Sequence, residues 1–486
     1  MKITCKIRVI LLVGIFLSFG VSQVYAVERP SPYWNETLTE SRDFKVTVNG
    51  NSIFTEHFEI KTPFGPDITD RERNFVSRVY EYIGDIQRIA FSRFDISKGK
   101  NIIEVQFNKA LTCKVRPIRP GMKITGQGSN CLRIEMPNPG YVQIDPEGMH
   151  PLVLIPEHRI LPDFKLDGSN VLYFPPGVHH PGEIRAKSDQ IIYIPAGAVV
   201  YGNIIADSCQ NLRIIGNGIL DTTQGEYGRC IHFRNCSNVL VDGLMLRSSK
   251  IGWMVVPKFS NDITYRNLKI IGFGTNNDGM DIVSSSNVTI ENCYIRSTDD
   301  CIAVKTERGK STEQLRVHGC TMNGYASSDG FTIGFEIRDS VRNIEVVDCD
   351  VLSGKGTNTS GGHAGFSIVC DGPGPISDIV FDNIRVDEVD YKNFELLITN
   401  GQHYVNMAPG RIENVTVRNV SWAREDMPFM IWGFGPKNKV RNVSFENCTL
   451  AGKPLTNAAV GRFIVNRYTD NIRFIHGSEI KMFRRF

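Results

Sequence analysis

The sequence lacks the features of a membrane-spanning, nucleic-acid-binding or zinc-finger protein. After an apolar run at the N-terminus, no segment is both long and apolar enough to cross a bilayer. With 55 basic and 52 acidic residues, the chain has no basic field to hold nucleic acid or acidic lipid. Its cysteines and histidines do not follow the spacing of a zinc site. We therefore expect no nucleic-acid partner, no membrane span, no metal and no cofactor.

Residues 1–26 are typical of a secretory signal peptide. Three basic residues precede an apolar run from Val9 to about Val21, and Val24-Tyr25-Ala26 offers small residues at the cleavage positions. Cleavage after Ala26 leaves 52 basic and 52 acidic residues, a neutral balance. We predict a protein that is secreted or periplasmic and soluble; an uncleaved membrane tether is the alternative.

A short repeat runs through the second two-thirds of the chain. Each copy begins with a polar residue, continues with alternating apolar residues and often ends in a pair such as Asn-Cys, as in Asn287-Val288-Thr289-Ile290-Glu291-Asn292-Cys293. The copies begin at Asn211, Asn238, Asp262, Asn287, Gln314, Asn343, Asp378, Asn414 and Asn442. Alternation with period two predicts strands, and spacings of 24 to 36 residues without helical stretches predict a parallel β-helix.

Residues at matching points of successive coils should stack on one another. We expect the asparagines to form a hydrogen-bonded ladder, so that the Asn-Xaa-Ser/Thr sequences of the repeat are ladder positions rather than glycan sites. Buried cysteine behaves as a small hydrophobic residue, and we therefore expect stacked free thiols at the matching positions Cys293, Cys320, Cys349 and Cys448. Cys113 and Cys131 lie outside the repeat, and both a disulfide and free thiols remain open for them.

The part of the chain before the repeat has a different pattern. Alternating runs such as Asp43–Val48 and Asn101–Phe107 are separated by turns rich in Gly, Pro and Asp, which favours an antiparallel β-sandwich. We therefore predict an all-β protein. Its divisions would be a signal peptide at 1–26, a β-sandwich domain at 27–165 and a parallel β-helix catalytic domain at 166–486.

Two short segments carry the candidate chemistry, Asn277-Asp278-Gly279-Met280-Asp281 and Asp299-Asp300-Cys301-Ile302-Ala303-Val304-Lys305. Asp278 and Asp299 are 21 positions apart, close to one coil, and equivalent residues of adjacent coils lie about 5 Å apart. Crowded carboxylates repel, so one keeps its proton to a higher pH while another ionises. An acid beside a base is what hydrolysis of a glycosidic bond requires. An aspartate pair at a turn can also be structural, because Asp caps turn amides.

This combination resembles a known signature. The polygalacturonase family, glycoside hydrolase family 28, carries Asn-Thr-Asp-Gly-Xaa-Asp followed by Asp-Asp-Cys, and here Asn277 stands in place of the Thr. The aspartates and Gly279 are also similar to those of the related dextranase and isopullulanase family, glycoside hydrolase family 49. The resemblance implies a right-handed parallel β-helix and hydrolysis with inversion. It also implies that Asp299 is the general acid and that Asp278 and Asp300 hold and activate the attacking water.

Two departures from pectin-cleaving members favour a neutral substrate. Where those members carry Gly-His-Gly this chain has Ser328-Asp329-Gly330, and where they carry Arg-Ile-Lys it has Ser367-Ile368-Val369. The missing cations are the groups that pair with galacturonate carboxylates. The N-terminal sandwich and the missing cations resemble family 49 in layout.

We predict a secreted inverting hydrolase of a neutral, α-linked polysaccharide, dextranase-like in character and acting as a monomer. The alternatives are a pectin hydrolase with altered subsites, a polysaccharide lyase, and a non-catalytic β-helical carbohydrate-binding protein. Lyases act on acidic sugars and usually hold a Ca²⁺ ion with aspartate clusters.

Other residues near the predicted cleft are candidates for contact with a polysaccharide or oligosaccharide substrate: Asp281, Lys305, Asp329, Glu336 and His363. A solvated surface position is the alternative for Lys305, and a position in a loop is the alternative for His363. Three tryptophans could stack on sugar faces or pack in the protein: Trp253, Trp422 and Trp432. The apolar run around Trp432 favours packing.

Overall fold

The computed structural model describes residues 31–61, 86–96, 100–126, 129–225, 228–307, 309–355, 363–401 and 407–483. The regular elements in these ranges are β-strands. No helix able to cross a lipid bilayer is found in this part of the chain. The predicted signal peptide lies outside the described residues.

Two sheets form the N-terminal part of the protein. The five-stranded sheet is antiparallel, in the order Asn51–Ile53, Phe44–Val48, Asn101–Phe107, Cys131–Met136 and Lys123–Thr125. The six-stranded sheet has the order Thr39–Glu40, Thr55–Lys61, Ile86–Asp95, Leu152–Glu157, Val142–Pro146 and Cys113–Arg116.

The two N-terminal sheets share one core. Alternate side chains of Asn101–Phe107 are buried, as the period-two pattern predicted, and they pack with Phe44, Leu132 and Leu154. The sandwich is antiparallel except for one pair, because Ile86–Asp95 and Leu152–Glu157 run parallel. Cys113 and Cys131, which lie on different sheets, are free thiols.

The repeat region forms a right-handed parallel β-helix with three stacks of strands, as predicted. The first sheet contains Val171–Tyr173, Ile191–Tyr193, Gln210–Ile215, Ser237–Asp242, Asn261–Arg266, Ser286–Glu291, Thr312–His318, Val341–Val347, Pro375–Asp382, Arg411–Arg418, Val440–Glu446, Thr469–His476 and an antiparallel last strand, Glu479–Met482.

The second and third sheets complete each coil. The second contains Gly177–Arg185, Ala198–Asp207, Ile231–Arg234, Val255–Lys258, Met280–Val283, Ile302–Thr306, Phe331–Ile337, Phe366–Cys370, Phe394–Ile398, Phe429–Trp432 and Phe463–Val465. The third contains Ile219–Asp221, Met245–Ser248, Lys269–Gly272, Tyr294–Ser297, Thr321–Gly324, Asp350–Gly354, Arg385–Val389, Ser421–Trp422, Thr449–Leu450 and the antiparallel strand Lys453–Pro454.

The predicted asparagine ladder is confirmed, and it lies near the start of the strands of the first sheet. Asn442 donates to Asn414 Oδ1 at 2.9 Å and accepts from Asn471 Nδ2 at 2.8 Å. All three residues have φ between 55° and 59°, a left-handed conformation that Asn tolerates better than most residues. Asn suits these positions for two reasons: its side-chain amide both donates and accepts hydrogen bonds, and its backbone tolerates positive φ.

The predicted interior cysteine ladder is also confirmed. Cys293, Cys320 and Cys349 are buried free thiols, and each directly precedes a strand of the third sheet. Those strands pair in register, so the three thiols stack on successive coils. They fill the corner of the coil as small apolar groups.

The six-stranded sheet packs on the outer face of the third sheet. Apolar residues such as Phe91 and Ile155 contact Ile271 and Tyr294 of the coils. A buried ionic group lies in the same interface and centres on Glu157.

Glu157 joins both parts of the protein. Its carboxylate accepts from Arg93 Nε at 2.6 Å and from Asn217 Nδ2 at 2.6 Å, and Lys269 Nζ lies at 3.1 Å. Burial opposes its ionisation, but Arg93 and Lys269 keep the pKa of Glu157 below its usual value. The contact fixes how the sandwich sits on the coils that carry the aspartates.

We predict that Asn442→Ala destabilises the protein by about 1–3 kcal/mol, because it removes two ladder hydrogen bonds and places Ala at positive φ. Asn442→Gly, which tolerates this backbone conformation, should cost less. The shift in denaturant midpoint measures both variants. Equal losses for the two would contradict the backbone part of this explanation.

Candidate active site

Three successive coils bring an aspartate to the same corner of the β-helix. Asp278, Asp300 and Asp329 each stand two residues before a strand of the second sheet, and Met280, Ile302 and Phe331 of those strands are register partners. Backbone hydrogen bonds continue the ladder into the corner: Gly279 N donates to Asp300 O at 2.8 Å, and Cys301 N donates to Asp329 O at 2.9 Å. The separation of Asp278 from the Asp299-Asp300 pair is therefore one coil, as the spacing predicted.

The loop before Asp278 is fixed by two of its neighbours. A Cβ on Gly279 would lie 2.5 Å from Cys301 O, so only glycine allows the coils to approach this closely. Asn277 is fully buried and donates to Lys250 O at 3.1 Å and to Gly252 O at 2.8 Å. From the sequence, Asn277 is recognisable only as a replacement for Thr; its anchoring role depends on contacts with the preceding coil.

The carboxylates of Asp278, Asp299 and Asp300 meet. One oxygen of each lies within 4.8 Å of the others. Asp278 and Asp300 are 1% and 5% exposed, whereas Asp299 keeps an intermediate exposure. Asp299 is thus the member of the trio that is most accessible from solvent.

The three carboxyl groups differ in how readily they ionise. Burial raises the pKa of Asp299 well above its usual value, and the charge of Asp278 adds to the shift. Burial, with Asp329 and Asp299, does the same to the pKa of Asp300. Burial also raises the pKa of Asp278, but Lys305 opposes that shift. The shifts therefore favour the protonated form of Asp299 and Asp300 to higher pH, whereas Lys305 supports the charged form of Asp278.

Lys305 is a buried cation within the site. Its ammonium lies 3.3 Å from Asp281 Oδ1, 3.7 Å from Asp278 Oδ2 and 3.5 Å from Glu336 Oε2. It also lies 4.3 Å from the ring centroid of Trp253, a cation–π distance. The solvated surface alternative for Lys305 was wrong, because the second sheet turns this side chain into the carboxylate cluster.

Asp281 and Asp329 are placed beneath the site and not along its open side. Asp281 is fully buried beside Lys305, and burial and Asp278 raise its pKa well above the usual value. Asp329 is also buried; its oxygens accept from Ala364 N and from the Ser367 hydroxyl, and burial raises its pKa to about 7. Its backbone N–H donates to Asp300 Oδ1 at 2.8 Å. The expectation that these two aspartates contact substrate is therefore not supported by their positions, because neither presents a free carboxylate to the open side.

Glu336 and His363 are brought to the same corner. His363 Nε2 lies 3.3 Å from Ser327 Oγ, and one of its ring nitrogens lies within 4.8 Å of oxygens of Asp300 and Asp329. Both His363 and Glu336 are partly exposed. Their contact with substrate stays a prediction.

The three tryptophans occupy different environments. Trp253 is half-buried and covers Lys305. Trp422 is buried in the core, where Nε1 donates to Asn393 O at 3.0 Å. Trp432 is 40% exposed, so the expectation that it packs was wrong: it stands on the outward side of Phe429–Trp432, whose Phe and Ile take the interior positions.

In the part of the second sheet next to the trio that the structure describes, two positions of interest hold uncharged side chains and the buried lysines are paired. Ser367 and Val369, which stand where pectin-cleaving members have cations, are both buried. Farther along the same sheet, Lys392 pairs with the buried carboxylate of Glu395 at 3.0 Å. Both buried lysines of this region thus already face carboxylates.

Some of these groups are close enough to bind a cation. Asp278, Asp299 and Asp300 meet the distance requirement, and so do Asp300, Asp329 and His363. However, Asp329 already accepts two hydrogen bonds, and Lys305 supplies positive charge beside Asp278. The arrangement favours acid–base chemistry over ion binding.

Comparisons with known proteins identify the family of the repeat region. The model of the family described as Glycosyl hydrolases family 28 matches residues 216–459, which include all three catalytic candidates. The chain is 25% identical to a probable endo-xylogalacturonan hydrolase A of Neosartorya fischeri, over 43% of this chain and 55% of that protein. It is 29% identical to a polygalacturonase of Ralstonia nicotianae, over 29% of this chain and 28% of that protein. The chain thus spans between about a quarter and a half of the length of these relatives.

Two solved structures share the fold. Dex49A from Penicillium minioluteum superposes with a TM-score of 0.60 at 14% identity, covering 90% of this chain and 94% of its own. An exopolygalacturonase from Thermotoga maritima gives a TM-score of 0.51 at 16% identity, covering 64% and 84%. The wider coverage by Dex49A shows that its likeness extends beyond the β-helix into the N-terminal sandwich.

Proposed function

We propose that this chain, which belongs to glycosyl hydrolases family 28, is a glycoside hydrolase that cleaves a neutral, α-linked polysaccharide with inversion at the anomeric carbon. The observation that carries the acid–base assignment is the asymmetry within the trio: Asp278 has a cation beside it, and Asp299 is the most exposed. We also propose export, which the charge and apolar pattern of residues 1–26 supports.

In the proposed reaction, Asp299 gives its proton to the glycosidic oxygen as the bond from that oxygen to the anomeric carbon breaks. A water held by Asp278 and Asp300 attacks the anomeric carbon from the opposite face and loses its proton to Asp278. Lys305 keeps Asp278 ionised and so ready to accept that proton. Inverting enzymes usually separate their carboxyl groups by about 6.5–9.5 Å. In this site, one carboxylate oxygen of each of Asp278, Asp299 and Asp300 lies within 4.8 Å of the others. We therefore propose inversion because of family membership, and not because of the distance between the carboxyl groups.

The other acidic residues support this arrangement. We propose that Asp281 positions Lys305, and that the backbone of Asp329 positions Asp300 through the hydrogen bond to its Oδ1. Glu336 and His363 remain the candidates for contact with sugar hydroxyls. None of these four residues needs a charged group on the substrate in order to act in this way.

The preference for a neutral sugar is supported by the charges around the trio. A uronate carboxylate needs a cation to replace its hydration. Here Lys305 faces three carboxylates and Lys392 faces Glu395. A carboxylated sugar would therefore add negative charge to a site that already has an excess of it.

Pectin hydrolysis with altered subsites is the second candidate. The observation in its favour is that curated relatives are named as polygalacturonase and endo-xylogalacturonan hydrolase. In that case a cation other than Lys305 and Lys392, which already face carboxylates, would have to meet the uronate carboxylate.

We predict that Asp299→Asn lowers kcat by about 10²–10⁴-fold while leaving the fold intact, because it removes the proton donor. Reducing-sugar release measures the loss, and thermal unfolding checks the fold. Asp221→Asn is the control: Asp221 is an aspartate of an earlier coil that accepts from the Thr223 hydroxyl, and it is buried outside the site. Full activity in Asp299→Asn, or an equal loss in Asp221→Asn, would rule out the assignment.

We predict that Lys305→Met moves the acidic limb of the kcat/KM profile to higher pH. Burial raises the pKa of Asp278 and Lys305 opposes that rise, so loss of the cation raises this pKa further. The base must be ionised, and activity should then begin to fall at a higher pH as the solution is acidified.

The control for this experiment is Lys258→Met. Lys258 stands on the same sheet and pairs with Glu307 at 2.5 Å, outside the trio. Its profile should keep the wild-type acidic limb. An unchanged limb in Lys305→Met would show that Lys305 does not tune the base.

We predict that kcat/KM for a neutral α-glucan such as dextran or pullulan exceeds that for polygalacturonate by at least about tenfold, a difference of about 1.4 kcal/mol in transition-state binding. Initial rates of reducing-end formation at equal ionic strength provide the comparison. Faster cleavage of polygalacturonate would favour the second candidate and leave the aspartate roles unchanged.

A further inference from the structure

A second cluster of ligand-type side chains lies in the N-terminal sandwich, apart from the aspartate trio. It consists of Asp43, just before Phe44–Val48; His57, within Thr55–Lys61; and His150, just before Leu152–Glu157. One nitrogen of each imidazole and one oxygen of Asp43 lie within 4.8 Å of one another. Asp43 belongs to the five-stranded sheet and the two histidines to the six-stranded sheet, so the cluster bridges the sandwich.

His150 has a buried nitrogen with no hydrogen-bond partner. Its side chain is 9% exposed, and its Nε2 atom is buried and makes no hydrogen bond. Asp43 Oδ2 lies 3.9 Å away, which is too long for a hydrogen bond. A buried polar atom without a partner is costly, and a bound ion between these two atoms would satisfy it.

The surrounding groups hold the three side chains in this arrangement. The rings of His57 and His150 are 4.9 Å apart at 75°, and His150 meets the Phe44 ring at 5.3 Å and 90°. Asp43 Oδ1 accepts from the Asn108 side chain, which leaves Oδ2 on the side of His150.

Glu59 supplies a further element of a metal site. Its Oε2 lies 3.7 Å from His57 Nε2, and an approach of about 0.7–0.9 Å would make it the hydrogen-bonded outer carboxylate that commonly orients a metal-bound imidazole. If His57 Nε2 faces Glu59, Nδ1 remains for an ion. Glu59 also pairs with Arg88 at 2.6 Å, so its orientation is fixed.

We propose that Asp43, His57 and His150 bind one Zn²⁺ ion. Two imidazoles and one carboxylate are a ligand set that zinc accepts, with a water in the fourth position. The ligand atoms would have to contract to separations of about 3.3 Å, the edge of a tetrahedron with bonds of about 2.0–2.1 Å. The open position faces a cleft of about 590 Å³ whose walls include Arg88 and Arg296.

The charges of the cleft limit the site to a single ion. Arg88 and Arg296 place two cations on its walls, and Asp43 and Glu59 are carboxylates that lie close enough to the histidines to offset them. The ion would tie the two sheets of the sandwich together, next to the strand Tyr294–Ser297 that leads to Asp299. This differs from the expectation, drawn from the sequence, that the protein has no metal.

The test is zinc titration by calorimetry on chelator-treated full-length Asp299→Asn protein, which removes hydrolysis from the measurement. We expect one Zn²⁺ per chain. Co²⁺ in place of Zn²⁺ should give the strong visible absorption of a four-coordinate site. Single added substitutions His57→Gln and His150→Gln should each lower zinc affinity by more than about 100-fold, and Glu59→Gln by about 10–100-fold.

Control variants test whether zinc binds at this cluster and not at another imidazole. His476→Gln removes an exposed imidazole elsewhere and should leave zinc affinity unchanged. Zinc should raise the Tm of the parent protein but not that of His150→Gln, and Asp43→Asn gives an independent ligand variant if His150→Gln fails to fold. Absence of binding at micromolar zinc, or binding that survives loss of either histidine, would overturn the proposal.

Asp278→Asn should leave zinc binding intact; loss of binding there would assign the ion to the trio instead.

Discussion

The register of the parallel coils is the constraint on which this protein depends. Each residue of a coil lies over its equivalent in the next, about 4.8 Å away, so any group placed at a corner is repeated against its neighbour. At most corners the repeated groups are compatible, as in the asparagine and cysteine ladders. At the corner before the second sheet the repeated group is an aspartate, and the fold forces carboxylates together that would separate in a flexible chain.

Lys305 and the hydrogen bonds around Asp329 make this crowding tolerable. The lysine comes from a strand that follows the pair, so the same register that gathers the carboxylates also delivers the cation. Lys305 lies within ion-pair distance of Asp278 but forms no such pair with Asp299. The three aspartates therefore differ in how readily they ionise. The catalytic proposal thus follows from one asymmetry in a nearly symmetrical stack.

Much of the architecture could be predicted from the sequence because it is periodic. Alternating residues predicted the strands, and the spacing of Asp278 from Asp299 predicted that they meet. It was harder to predict whether an individual side chain faces solvent or the interior. Trp432 lies in an apolar run, and only the direction of its strand shows that it faces outward. Lys305 could have been solvated, and only the neighbouring coils show that it is buried.

Contacts between residues that are far apart in the sequence could not be predicted from it. The parallel pair within the sandwich joins Ile86–Asp95 to Leu152–Glu157, which no local pattern signals. His57 and His150 are 93 positions apart, and their meeting depends on the strand order of the six-stranded sheet. The anchoring of Asn277 to Lys250 and Gly252 likewise requires knowledge of the preceding coil.

The buried group around Glu157 has a consequence for how the molecule can be divided. Lys269 belongs to a coil next to the aspartates, and burial lowers its pKa to about 8 even with Glu157 beside it. A shortened protein lacking the sandwich would expose the apolar outer wall of the third sheet and leave this ammonium without its counter-ion. The described strands of the sandwich, from Thr39–Glu40 to Leu152–Glu157, therefore support the solenoid, and we expect an independently expressed β-helix to be an unstable fragment.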